Sequence, residues 1–346
     1  MDLSIIIPFV GEYPQVLWTI QSIAQGLIET EIEFEIIAVD NYCEQAVRQC
    51  NVATQKAIDK LKQIYFNEGR EIEASDMFEI HDMIPPIYKN RSGEAIKACA
   101  RGNPWLRYVE YPDSLSHWQA KRVGVQESDG KVLLFVDAHT IPSVDAIEEM
   151  FLEYTRGSYN ENGTMHLPLT YKILEWHRLI YKFFVENEFF YSYKFTPFRQ
   201  AKEPYEVQCM STCGMMISRS IYDQLGGWPA TLGVYGGGEN FMNYTLAVCG
   251  FKKWIYPHGT LFHHADRRDY HWYGDNLIYN RMLAHYLFGG KDLLAKFTSI
   301  CKGRPSTLQM FAEMALKEGF DQRQQIKSIQ KMTIEEWAEK WRENEL

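Results

Sequence analysis

Asp137 and His139 stand two positions apart at the end of the run Lys131–Thr140, KVLLFVDAHT. A carboxylate with an imidazole is a donor pair for a divalent metal, and it suits Mn²⁺, Fe²⁺ or Zn²⁺ better than Ca²⁺. In extended backbone the side chains of i and i+2 point to one side, so the two can grip one object. The same pair at a strand end that merely meets water needs no metal, and residue types alone leave both readings open. Asp40 closes a second apolar run, where a carboxylate either binds a nucleotide base or ribose or forms a turn with its own backbone. Gly236-Gly237-Gly238 precede Glu239-Asn240. Successive glycines allow close backbone approach to a ligand, while Glu239 at a helix start is also plain electrostatic stabilisation. Asp266-Arg267-Arg268-Asp269-Tyr270 is a compact basic spot beside His263-His264, either a phosphate clamp or a solvated charge cluster.

The elements that must position these residues follow from apolar spacing. Val132–Val136 is an unbroken apolar run, which fits a strand covered on both faces in a parallel sheet. Ligands of open α/β sheets bind just beyond the carboxyl ends of such strands. Ser4–Phe9 is a first strand, Pro14 opens a helix through Leu27, and Phe34–Val39 is a second strand. That order marks a parallel α/β unit. Residues 44–67 are helical in composition, and residues 68–105 read as a loop-rich insertion with Pro85-Pro86, Arg91-Ser92-Gly93 and Asn103-Pro104 as breakers. Leu106–Tyr111 is a further strand and Ser116–Ser128 a helix. Ser143 is expected to cap a helix with Ile147, Met150, Phe151 and Tyr154 on one face. Residues 176–198 are dense in aromatics, which suit sugar rings or bases but are more often core. Phe241–Val248 is a helix and Phe251–Tyr256 a strand. The remainder is helical, with Thr333 and Glu336 forming a capping box.

Composition bounds the possibilities. The 346 residues, 46% of them hydrophobic, suffice for one large domain or two ordinary ones. A net charge of −9 argues against non-specific attachment to nucleic acid or anionic membrane. Seven scattered cysteines with no second pair near Cys209 and Cys213 argue against structural zinc and for reduced thiols. Met1-Asp2 leads directly into a strand and no apolar stretch is long enough to span a bilayer, so a cytoplasmic protein without stable membrane insertion is expected.

Two blocks resemble a known family. Gln119–His139, QAKRVGVQESDGKVLLFVDAH, and Tyr235–His263, YGGGENFMNYTLAVCGFKKWIYPHGTLFH, are similar to the DxH and GGEN blocks of the polypeptide N-acetylgalactosaminyltransferases. With SIIIPF and the strand ending in Asp40, the chain resembles GT-A glycosyltransferases of the family-2 type over residues 1–270. The resemblance implies an α/β GT-A fold, with a mostly parallel central sheet flanked by helices. It places the nucleotide-binding half in about 1–145, the sugar and acceptor half in about 146–270, and a helical C-terminal extension in 271–346. It further implies a metal, Mn²⁺ or another divalent cation, held by Asp137, His139 and His263. The UDP-sugar donor would be met by Pro8, Phe9, Asp40, Lys121, Arg122, Asp137, Ala138, Tyr235, Gly237, Gly238, Arg267, Arg268 and Tyr270. Glu239 and Asn240 would serve catalysis. Lys121 stands where the family has an arginine, Tyr235 where it has tryptophan, and Asp266 where a donor-binding arginine is expected.

The implied activity is metal-dependent transfer of a sugar from a UDP-sugar to an acceptor hydroxyl, with retention of anomeric configuration. The acceptor stays open between a protein Ser or Thr, a glycan and a hydroxymethylated DNA base. An inverting enzyme would need a carboxylate base, for which Glu239 is the candidate. A protein that binds a nucleotide sugar without turnover is a further alternative. A nucleotidyltransferase would need a glycine-rich phosphate loop after the first strand, which Pro8-Phe9-Val10-Gly11 is not.

Overall fold

A computed structural model describes residues 1–44, 63, 67, 90–171, 178–183, 189–264 and 274–343. The chain opens with β1 (Leu3–Phe9), α1 (Gln15–Gln25) and β2 (Phe34–Asp40). It continues through α2 (Arg91–Ala100), β3 (Leu106–Glu110), α3 (His117–Gln126), β4 (Val132–Phe135) and β5 (Thr140–Pro142). Next come α4 (Ala146–Arg156), the short α5 (Tyr159–Asn162), β6 (Gly163–His166), β7 (Leu169–Thr170), β8 (Leu179–Phe183) and β9 (Tyr193–Pro197). Then follow β10 (Tyr205–Glu206), β11 (Met215–Ser218), α6 (Arg219–Gln224), α7 (Gly238–Val248), β12 (Lys252–Ile255) and β13 (Leu261–His263). Four helices close the chain: α8 (Gly274–Ile300), α9 (Pro305–Glu318), α10 (Phe320–Ile329) and α11 (Ile334–Glu343).

Among the described residues the central sheet has eight strands in the order β10-β12-β6-β11-β4-β1-β2-β3. Strands β3, β2, β1 and β4 run parallel, and β11 enters antiparallel beside β4, so the sheet is mixed. The chain builds outward from β1 to β3 and returns to the other side of β1 as β4. That reversal opens a crevice at the carboxyl ends of β1 and β4. Both faces of these strands are covered, which is why their sequences are apolar without alternation. Ile5, Ile7, Ile36 and Leu134 pack with α1, α2 and α4, while Ile6, Ile37, Leu133 and Phe135 pack with α3, α6, α7 and the closing helices. Each such fully buried side chain contributes about 1.5–3 kcal/mol. The helices after residue 273 thus share one core with the sheet, through Met282, Leu283, Phe288, Ile326 and Trp337.

Where residues 68–105 read as irregular, Arg91–Ala100 is a helix. Its start is set by Asn90, whose side chain accepts from the Gly93 amide at 2.9 Å, so a residue pattern that looks like a breaker is in fact a cap. Ser143 does not cap α4 with its side chain: its hydroxyl accepts from the Thr260 amide, and Asp145, at φ +60°, precedes the helix. The capping box is present, with the Thr333 amide donating to Glu336 at 2.7 Å and the Glu336 amide to Thr333 Oγ1 at 3.1 Å. The helix expected over 44–67 falls outside the described residues, apart from Glu44 and the isolated positions 63 and 67.

Candidate active site

The site is assembled where the two sheets meet. Beyond β4 the chain passes Asp137, Ala138 and His139 and enters β5, the edge of a second sheet ordered β5-β13-β7-β8-β9. β13 pairs antiparallel with β5 and sets His263 opposite Thr140. The His264 amide donates to the His139 carbonyl at 2.9 Å, continuing that register. A ladder between two short strands therefore delivers His263 to a pair more than a hundred residues earlier.

Ligand atoms of Asp137, His139 and His263 lie within 4.8 Å of one another. His263 Nε2 is 3.2 Å from Asp137 Oδ2, and the two imidazoles meet edge to face with centroids 4.8 Å apart. Nδ1 of His139 and Nδ1 of His263 are both buried and hold no hydrogen-bond partner. Orphaned buried acceptors or donors are costly, and a carboxylate beside two such imidazoles fits a divalent ion that accepts mixed oxygen and nitrogen ligands. Burial, and then the neighbouring His263, push His139 below the ordinary imidazole range, which favours the neutral form that ligation requires. Burial works against ionisation of Asp137, but the Lys121 charge and the hydrogen bond and charge of His263 outweigh it. Its carboxyl is held well below the usual range.

A cavity of about 330 Å³ opens in front of this cluster. Pro8, Phe9, Asp137, Ala138, His139, Tyr235, Gly237, Glu239, Asn240 and His263 all line it. The structure therefore gathers the end of β1, the exit of β4, the glycine loop and β13 around one space. Gly236 and Gly237 have φ of +76° and +75°, where a side chain is strained. A Cβ on Gly238 would lie 2.5 Å from the Trp118 ring, so the backbone there is pressed against α3. The Thr212 amide lies 3.5 Å from Glu239 Oε1. Burial, followed by Asp137 among the opposing charges, raises the Glu239 carboxyl, although Lys121 acts the other way. Asn240 donates to the Phe190 carbonyl at 3.1 Å.

Four expected donor contacts, Gly238, Asp40, Lys121 and Arg122, are absent from the cavity lining, Gly238 because its backbone is pressed against Trp118. Asp40 is buried, and its carboxylate accepts from Asn90 Nδ2 at 2.6 Å, Tyr108 OH at 2.7 Å and the Tyr42 amide at 3.0 Å. It is absent from the cavity lining, where Asn41 appears instead. Lys121 is 0% exposed and reaches Asp137 Oδ1 at 3.3 Å from behind. Arg122 donates to the Trp228 carbonyl at 3.0 Å, away from the lining. Arg267, Arg268 and Tyr270 lie outside the described residues.

The cavity also takes residues that sequence reasoning passed over: Glu12, His117, Trp118, Tyr171, Leu277 and Arg281. Leu277 and Arg281 sit four apart on α8, so a helix far along the chain completes the wall. No local signal marks them, because an apolar and a basic residue at helical spacing look like any amphipathic surface.

Comparison with known proteins bears on the fold. Residues 89–226 match the glycosyl transferase family 2 profile. Over those residues the chain is similar to a family-2 glycosyltransferase domain. Its fold is GT-A, a mixed α/β sheet flanked by helices with a helical C-terminal region. A crystal structure of GalNAc-T7 with UDP, GalNAc and Mn²⁺ superposes with a TM-score of 0.59 at 15% identity, over 93% of this chain and 57% of that one. The chain thus spans a little over half the length of that relative. A structure of S. aureus TarS residues 1–349 in complex with UDP-GlcNAc gives a TM-score of 0.48 at 10% identity, over 93% of this chain and 73% of that one. No curated protein sequence matches the chain. Among the described residues, no helix is long and apolar enough to cross a membrane.

Proposed function

We propose that this protein transfers a sugar from a UDP-sugar donor to an acceptor hydroxyl, using a divalent cation, Mn²⁺ by preference, held by Asp137, His139 and His263. One observation carries the reading: a carboxylate and two imidazoles with orphaned nitrogens converge on the lining of a cavity that the glycine loop leading to Glu239 also lines. When bound, the cation supplies electrostatic stabilisation of the charge that grows on a departing diphosphate. The chain's own part is positional. Asp137 and His139, on the passage from β4 to β5, and His263, at the end of β13, hold their geometry because the β5–β13 ladder ties the two segments together. Gly236 and Gly237 line the cavity, and lacking side chains they let the loop pack against Leu277 and Asn280 of α8 at φ of +76° and +75°. Trp118 and His117 line the cavity on the α3 side. The likeness of the GGEN block supports retention, with Glu239 and Asn240 beside the reacting centre.

The test is a panel of UDP-sugars incubated with Mn²⁺ and assayed for UDP release. Wild type is expected to release UDP slowly. Asp137→Ala loses the activity, whereas His264→Ala, whose side chain is exposed, keeps it. Activity retained in Asp137→Ala overturns the ligand set. NMR assignment of the product anomer tests retention, and an inverted product refutes it.

A further inference from the structure

Lys121 has an unusual position for a charged side chain. Its ammonium is 0% exposed, lies over the rings of Trp118 and Trp228 at 5.2 and 5.9 Å, and has Asp137 Oδ1 at 3.3 Å. A buried cation is tolerated only when paired, so its place depends on the Asp137 charge. Asp137 is held from both sides: Oδ1 by Lys121, which is outside the cavity lining, and Oδ2 by His263, which is within it.

We propose that Lys121 is a positioning residue that neutralises Asp137, so that the site takes up a divalent cation weakly alone and strongly only together with a nucleoside diphosphate. This rests on the metal reading above. Ligating imidazoles are neutral, so Asp137 and Lys121 together leave the ligand set without net charge. A free cation therefore gains little long-range attraction, and it also meets the Lys121 ammonium behind the carboxylate. Of the other charged groups on the cavity wall, Glu12 is engaged by the amides of Val10 and Gly11 at 2.8 and 2.9 Å, and Glu239 and Arg281 stand on the α7 and α8 side. A diphosphate supplies the missing negative charge and further oxygen ligands. By linkage, each ligand then tightens the other by the same factor. The arrangement keeps the site from holding cation without donor.

Calorimetric titration of the full chain with Mn²⁺ alone, UDP alone and Mn²⁺ at saturating UDP tests the proposal, with correction for the UDP–Mn²⁺ complex in solution. In wild type, UDP is expected to tighten Mn²⁺ by about 100-fold. In Lys121→Met, which keeps the apolar stem against both tryptophans, Mn²⁺ alone binds at least about 10-fold more tightly and the coupling factor falls correspondingly. Lys121→Arg, which keeps the charge, retains the coupling. Lys121→Gln provides the same comparison should the methionine variant not fold. A wild-type factor below about 5-fold, or equal factors in wild type and the neutral variants, overturns the role of Lys121. Absence of Mn²⁺ binding to wild type even with UDP overturns the metal reading instead.

Discussion

Asn280, on α8, holds the glycine loop of the site through Gly233: its Oδ1 accepts from the Gly233 amide at 2.7 Å, and its Nδ2 also reaches the carbonyls of Tyr235 and Gly236 at 2.9 and 3.0 Å. Asn276, one turn earlier, accepts from the Val234 amide at 3.3 Å. A helix late in the chain thus sets the backbone path that leads into Glu239.

Replacing that fully buried amide leaves several loop groups without partners. Asn280→Ala should destabilise the protein by about 2–3 kcal/mol, since unsatisfied buried polar groups cost about 1–3 kcal/mol each and part of the loss relaxes. Asn280→Asp should be worse, because a carboxylate would face carbonyl oxygens that Nδ2 now satisfies. Urea unfolding of the three proteins checks the order, and an aspartate variant as stable as wild type would contradict it.

Gly238→Ala sets two effects against each other. Alanine is favoured over glycine inside a helix by about 1 kcal/mol. Here the added Cβ would lie 2.5 Å from indole atoms of Trp118, whose own ring is packed against Trp228 at 5.0 Å. Overpacking of this kind costs about 1–3 kcal/mol, and the clash should outweigh the helix preference. A lowered denaturation midpoint is expected, accompanied by weaker UDP binding as the loop moves; a raised midpoint would show that Trp118 yields freely.

His166 predicts an acid limb of stability. On β6 it is buried, its Nδ1 lying 3.0 Å from the Ser211 carbonyl and its Nε2 2.7 Å from Thr164 Oγ1, which a neutral ring satisfies as donor and acceptor. Burial, with a contribution from the Lys253 charge, pulls its pKa down to about 3. The unfolded chain takes up the proton near the ordinary value of about 6.5. Between those values the unfolded state holds more protons, so stability falls as pH falls and is complete above the unfolded value. From pH 7 to pH 5 this residue should remove about 2 kcal/mol. Unfolding free energies of wild type and His166→Gln at both pH values isolate the effect; equal slopes would refute it.

Much of the fold and part of the site were legible in residue order. The apolar runs of β1, β2 and β4 mark buried parallel strands because both faces are covered, and their ends mark the crevice. Asp137 and His139 do converge, though through a turn at Ala138-His139 rather than through the alternation of extended backbone. The capping box at Thr333 was readable because its partners are three residues apart. The helix at Arg91–Ala100 was not, because serine and glycine near a helix start resemble a breaker until Asn90 is seen as its cap.

What the tertiary structure alone decided involves partners far apart in sequence. His263 reaches Asp137 through the β5–β13 ladder, and register between short strands joined by a long connection depends on which faces are buried once the sheet is assembled. Asp40 and Lys121 looked alike as polar residues near a ligand. Packing decided between solvent, ligand and protein partners, turning Asp40 to Asn90 and Tyr108 and Lys121 to the back of Asp137. The contribution of α8 to the cavity belongs to the same class, because a helix's own periodicity tells which face is buried but never which surface it meets. Residue order determined the chemistry available at the strand ends; long-range packing determined which of those groups face the cavity and which only hold others in place.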